Sequence, residues 1–214
     1  MTESAWAGVT VLDHPLARDK IARIRDARTQ AGEFRALIHQ LSLLTAYVAL
    51  APLTTVAGSV QTPLAVAPAE HLRDPGPVVV GILRSGLAMV DSFVELLPEA
   101  AIGLIGLRRD HDTHIPHEYL VSLPPHLPSR EVVVVDPMLA TGGSAIHALD
   151  VVKRSGAQTI HFACLFAAPE GIEALRRVHA DVPITVASLE DGLSDEAYIL
   201  PGIGDAGDRL FGTE

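Results

Sequence analysis

The sequence has one cysteine, Cys164, so no disulfide can form within the chain. It sits in the apolar run IHFACLF and is expected to be a buried core thiol. No apolar run reaches the ~18 uncharged residues of a membrane span. The start of the chain, MTESAWAGVTVLDHPLARDK, lacks a basic stretch followed by an apolar core, so no secretory leader is read there. These absences suit a cytoplasmic protein. Positive charge is scarce too: 16 Lys and Arg stand against 26 Asp and Glu, a formal net charge of −10. Such a chain is a poor general binder of nucleic acid or of anionic membranes. A few well-placed arginines and backbone amides can still bind phosphate. The Gly-Gly-Ser turn at 142–144 matches neither the GxxxxGK[ST] nor the GxGxxG phosphate pattern, and a Ser-His-Asp arrangement and a His/Cys cluster spaced for a metal are missing. The ten histidines are scattered and read mostly as surface or loop residues. No repeat, low-complexity tract or linker divides the chain, and 214 residues suffice for one globular domain.

What is present is an alternation of elements. Pro15–Thr29 and Gly32–Leu53 carry apolar residues at helical spacing, with basic residues read as a solvated or subunit-facing surface. TTVAGSV and TPLAVA read as a short hairpin, and Pro68–Pro77 as a loop. From Val78 onward, strands and helices take turns. Strands are read at Val78–Leu83, at AIGLIGL, at Val132–Val135, at TIHFACLF and at PITVASL. Helices are read at Leu87–Leu97, at Ser144–Arg154 with Gly156 as cap, and at Pro169–His179. This order predicts an α/β fold with a mostly parallel sheet and helices on both faces. A polar stretch from Arg108 to Pro128 reads as a protruding loop or arm.

The most informative stretch is VVVVDPMLATGGS, Val132 to Ser144. Consecutive β-branched residues predict a strand buried on both faces. In open α/β sheets, ligands bind just past the carboxyl ends of such strands. Gly142 and Gly143 allow close backbone approach and positive φ. With a helix starting at Ser144, amide N–H groups and the positive helix end converge on one point, with Thr141 and Ser144 as further donors. An ordinary turn with Ser144 as N-cap is the plain alternative. Asp136 at the strand end can accept hydrogen bonds from sugar hydroxyls. Acid and nest together suggest a sugar phosphate.

DPMLATGGS resembles the phosphoribosyl pyrophosphate (PRPP) loop of the uracil phosphoribosyltransferases, within the type I phosphoribosyltransferase fold. Most type I enzymes carry two acids here, whereas the uracil enzymes have proline second, as in Asp136-Pro137. HPLARDK, EFRALI, ILRSGLAMVD, AAPEGIEAL and YILPGIGDAGDRLFGT are similar to the same family, so the likeness runs from about His14 almost to the end. It implies one domain: an N-terminal helical extension (about 14–53), a core (about 54–190) and a base-binding C-terminal segment (about 191–214).

The activity implied is transfer of the phosphoribosyl group of PRPP to N1 of uracil, giving UMP and diphosphate in pyrimidine salvage. By resemblance, Asp136, Pro137, Met138, Leu139, Ala140, Thr141, Gly142, Gly143 and Ser144 form the PRPP loop. Arg84 in GILRSG and Arg109 in GLRRD bind PRPP; the family usually places an aromatic residue where Arg108 stands. Ile199, Gly204, Asp205 and Ala206 bind uracil through a glycine-rich loop. Arg84 and Asp205 are the catalytic candidates, and Asp205 also touches PRPP. Mg2+ is implied, held mainly by PRPP and water, with Asp205 as a protein contact. Homo-oligomers (dimer or tetramer) and a GTP effector are family traits to which no residue is assigned here. A purine enzyme of this fold fits the Asp-Pro pair and the C-terminal loop poorly. An RNA-binding regulator sensing UMP would be expected to have a basic face, which the net charge argues against.

Overall fold

The computed structural model describes residues 2–3, 6–74, 76–109 and 116–213. Thirteen strands and six α-helices are described, in chain order. They are β1 (Thr2–Glu3), β2 (Val9–Val11), α1 (Pro15–Arg25), α2 (Ala31–Ala49), β3 (Thr55–Gln61), β4 (Val66–Leu72), β5 (Val78–Leu83), α3 (Leu87–Leu96), β6 (Ala101–Arg109) and β7 (Pro116–Ser122). Then come β8 (Glu131–Val135), β9 (Met138–Leu139), α4 (Gly143–Arg154), β10 (Thr159–Ala167), α5 (Pro169–Val178), β11 (Ile184–Leu189), β12 (Gly192–Leu193), β13 (Ile199–Leu200) and α6 (Ala206–Phe211).

The main sheet has the order β1-β2-β11-β10-β8-β5-β6-β7, with β9 also pairing to β10. All its central pairs are parallel; β1 and β7 at the two edges run antiparallel to their neighbours. The valines of β8 show why both faces are covered. Val133 and Val135 join the core beneath α1, α2 and α3. Val132 and Val134 join a second core under α4 and α5. Side chains alternate along a strand, so a strand buried on both faces must be apolar throughout.

From β5 the chain steps outward to β6 and β7, then returns to place β8 on the other side of β5, and from there builds β10 and β11. The order therefore reverses between β5 and β8. Crevices at the carboxyl ends of strands open at such a reversal.

Several expectations shift. The presumed loop over Pro68–Pro77 is strand as far as Leu72, in register with β3 from Thr55↔Leu72 to Gln61↔Val66. Pro68 is tolerated because the two-stranded ribbon leaves edges where no ladder donor is needed. Its turn is closed by Thr62, whose hydroxyl accepts from the backbone N–H of Leu64 and Ala65. The Arg108–Pro128 stretch is in part β7, which returns along β6; residues 110–115 lie outside the described region. The β3–β4 hairpin is a second exposed ribbon, with every residue of β3 exposed. The short strands β1 and β2 carry too few residues to show a period and were not expected. The basic residues of the first helices are not all solvated: Arg25 is half-buried and bonds Glu190, whereas Arg35 stays exposed while donating to the Leu210 carbonyl. Nor are all histidines external. His179 is buried, and His161 on β10 is half-buried beside Thr185, its Nε2 at 2.8 Å from the hydroxyl. Burial lowers the His161 pKa to about 4. Among the described residues no helix is long and apolar enough to cross a membrane.

Candidate active site

β5 and β8 are paired in parallel from Val78↔Val132 to Gly81↔Val135, so the turns that follow them emerge side by side. After β5 the chain turns through Arg84, Ser85 and Gly86 into α3. There is no room for a side chain at Gly86. A Cβ would lie 2.5 Å from the Ile82 carbonyl oxygen and 2.7 Å from that of Val135. The Leu83–Arg84 peptide bond is cis. Arg84 is exposed, its guanidinium 5.7 Å from the centre of the Phe211 ring in α6.

After β8 the chain is held by its own main chain. The Asp136 N–H donates to the Ala163 carbonyl, and the Pro137 carbonyl accepts from Leu165 and Phe166. β9 then pairs with the end of β10. Gly142 is the N-cap of α4, at φ +84, with no side-chain cap and no acid in the first turn. The helix thus begins at Gly143, and of the two glycines only Gly142 takes a left-handed conformation. The plain alternative, Ser144 as N-cap, does not occur. The first-turn amides and positive end of α4 are left for an anion. A Cβ on Gly143 would approach only the Thr141 hydroxyl, at 3.8 Å, so the loop faces open space there.

The floor of this loop is another glycine. A Cβ on Gly171, in α5, would stand 2.3 Å from the Ala140 carbonyl oxygen, and one on Gly142 would stand 3.0 Å from that of Gly171. Two backbones meet without side chains between them, which fixes the nest against α5.

Asp136 is 7% exposed, and one of its oxygens accepts from the Ser85 hydroxyl at 2.9 Å. That bond joins the two turns. Behind Asp136 lies Cys164, fully buried as expected; burial, with the Asp136 charge added, pushes its thiol well above the usual range. It has no reactive character.

The third component is the C-terminal segment. Ile199 is buried, Leu200–Pro201 is cis, and Gly202 has φ +57 with the Ile199 carbonyl oxygen only 2.0 Å from where a Cβ would be. Gly204 has φ +75 and open space around it. Asp205 is exposed, and one carboxylate oxygen caps α6 by accepting from the Asp208 N–H at 2.9 Å. The segment is therefore not wholly loop; its last part is the short helix α6. Leu210 in that helix joins the core under α1–α3, and Phe211 reaches Arg84. Arg109 ends β6, next to β5 and at the same end of the sheet, and Arg108 before it is exposed. The Arg109 side chain lies outside the described residues.

The sequence-derived PRPP and base residues thus fall on turns and on the ends of the strands and helices that adjoin them. Unforeseen were Ser85, tied to Asp136, and Phe211, beside Arg84. Ser85 has only its place between Arg84 and Gly86 as a local signal, and Phe211 has none.

Comparison with known proteins places the chain in a family. A family model described as uracil phosphoribosyltransferase matches residues 11–213. The chain is 48% identical over 204 residues to a uracil phosphoribosyltransferase from Ligilactobacillus salivarius, covering 95% of this chain and 98% of that one. It is also 48% identical over 206 residues to one from Dictyoglomus turgidum, covering 96% and 100%. Among solved structures, the AQ2163 protein from Aquifex aeolicus superposes with a TM-score of 0.90 at 32% identity, covering 95% of this chain and 97% of that one. An adenine phosphoribosyl transferase from Trypanosoma brucei, solved with AMP, pyrophosphate and ribose-5-phosphate, shares the fold at a TM-score of 0.61 and 14% identity, covering 94% and 90%. The chain belongs to the uracil phosphoribosyltransferase family.

Proposed function

We propose that this chain joins N1 of uracil to C1 of the ribose of PRPP, releasing diphosphate and forming UMP, through the turns that meet where the strand order reverses. The observation that carries the reading is the Asp136–Gly143 turn, an acid at a strand end followed by an uncapped helix start. The nest at Thr141–Ser144 holds the 5-phosphate, which stays on the product. Asp136 accepts from the ribose hydroxyls with the help of its bond to Ser85. Pro137, Met138, Leu139 and Ala140 supply the pinned main chain between them. Arg84 and Arg109 hold the diphosphate that leaves. As the C1–O bond breaks, negative charge grows on that group, and preset cations count for most at this point. No protein nucleophile is needed; holding both reactants in line supplies much of the rate.

Uracil presents an acceptor, a donor and an acceptor on one edge. Main-chain groups of Ile199, Gly204 and Ala206 match that edge without charge. Cytosine replaces an acceptor by a donor and would leave buried groups unpaired. Asp205 fits a magnesium ion bound chiefly to PRPP and water, because it is an exposed oxygen donor with only one oxygen engaged in capping. The ion would neutralise charge on the departing diphosphate.

A homo-oligomer is supported by the β3–β4 hairpin. An isolated two-stranded ribbon is marginal in water. This one exposes Val56, Val60, Leu64 and Val66, and a second copy of the chain is the occupant that would cover them. A cytoplasmic location is supported by the single buried thiol. A GTP effector site has no structural support among the described residues. The decisive test of the activity is PRPP-dependent conversion of each free base. Uracil should be consumed, with cytosine and hypoxanthine slower by orders of magnitude; comparable turnover of either would overturn the assignment.

A further inference from the structure

Glu190 is a carboxylate with a fully buried side chain at the end of β11, outside the residues assigned to PRPP or uracil. Each of its oxygens has a partner. Oε1 accepts from Arg25 Nη2 at 2.5 Å and from the Ser188 hydroxyl at 2.5 Å. Oε2 accepts from the backbone N–H of Gly202 at 3.1 Å. The Glu190 backbone is itself pinned, its N–H donating to the Ala167 carbonyl at 2.9 Å. Gly202 is the left-handed residue of the turn between Ile199 and Gly204. A buried carboxylate is costly unless paired. Arg25, from the last turn of α1, provides the pairing and also bonds Ser188 at 3.2 Å.

The other end of the segment returns to the same place. Arg209 stacks on Phe34 and donates to the carbonyls of Ile24 and Asp26, at the end of α1, and of Ile203. The stretch that presents main-chain groups to the base is thus tied on both sides to the end of α1.

We infer that Glu190, neutralised by Arg25, is a positioning residue for the uracil loop. It sets the Gly202 turn so that the backbone groups of Ile199, Gly204 and Ala206 match the base. The inference rests on the assignment of those residues to uracil. Backbone recognition has no long side chain to adjust, so its accuracy comes from whatever holds the turn. The contact lies on the base side alone: the nest is braced by α5 and β10 and has no bond to Glu190 among those described.

The test compares steady-state kinetics of Glu190→Gln, Arg25→Met, Arg25→Lys and Gly204→Val with the parent enzyme, with thermal melting as the check on folding. Glu190→Gln should raise the KM for uracil about tenfold, with the KM for PRPP within about twofold and kcat within about threefold. Arg25→Met should change uracil KM in the same direction by less, and Arg25→Lys should restore it to within about twofold. If Glu190→Gln does not fold, the Arg25 pair decides. An unchanged uracil KM in folded Glu190→Gln, or in Arg25→Met where Glu190→Gln does not fold, overturns the inference when Gly204→Val raises it. So does an equal rise in both KM values. If Gly204→Val also leaves uracil KM unchanged, the uracil assignment itself falls.

Discussion

The phosphate nest at 136–144 and the base loop at 199–206 are both glycine-rich turns that offer backbone groups to a ligand, yet they are held by different means. The nest is held by main chain against main chain: Gly142 on Gly171, Pro137 and Leu139 on β10. The base loop is held by side chains: Glu190 and Arg209 from the chain on either side of it, Arg25 from α1 behind Glu190, and, at the following helix, Arg35, which donates to the Leu210 carbonyl at 3.1 Å. Close backbone packing tolerates no added atom. A side-chain clamp can be weakened one bond at a time. Damage to the nest should therefore be abrupt, and damage to the base loop graded.

Substitutions can separate the two. The largest expected effect belongs to Arg84, which serves the leaving group rather than either loop. Arg84→Ala should lower kcat about a hundredfold while UMP affinity changes by less than about threefold. Asp205→Asn should act in the same sense, and Arg109→Ala more weakly because Arg108 is adjacent. Equal losses of PRPP and UMP affinity at constant kcat would place Arg84 elsewhere in the site. Next comes the nest. Gly143→Val fills the open space at the loop and should weaken PRPP and UMP alike by at least about tenfold, read by titration calorimetry on folded protein. Wild-type affinity for PRPP would contradict the assignment. A smaller, one-sided change is expected from Arg209→Met. It removes one of several ties, so uracil KM should rise about threefold to fivefold with PRPP KM unaffected.

The smallest effect should bypass both loops. His161 lies toward the opposite end of β10 and is held neutral by burial, with a folded pKa of about 4 against an ordinary value of 6.5. Between those values the unfolded chain binds more protons than the folded one, so stability must fall as pH drops through this window. His161→Gln should flatten the melting-temperature loss between pH 6.5 and 4 and leave uracil and PRPP KM unchanged at neutral pH.

Legibility in the sequence follows the same division. β8 could be read because consecutive valines have one structural meaning, and the nest because its acid, glycines and helix start are neighbours in sequence. Gly86 and Gly171 could be quoted but not explained, since what forbids a side chain there is a carbonyl from another element. Glu190 follows an apolar strand like any loop acid, and Arg25 shares its helix with Arg18 and Arg23, which are at the surface; only the fold distinguishes them. α6 is hidden by Gly207 within it and by Gly204 and Gly212 on either side, although Asp205 caps it. β4 was displaced by Pro68, a strand breaker in a central position but not in a free ribbon.

β2 lies between β1 and β11, pairing Val9 with Ile184 and Val11 with Val186. A strand made early therefore waits for one made much later. Until β11 leaves the ribosome, β2 has no parallel partner, and the end of α1 lacks the Glu190 that Arg25 will meet. The order of translation thus delays the base loop until after the strands that carry the phosphate nest have been made.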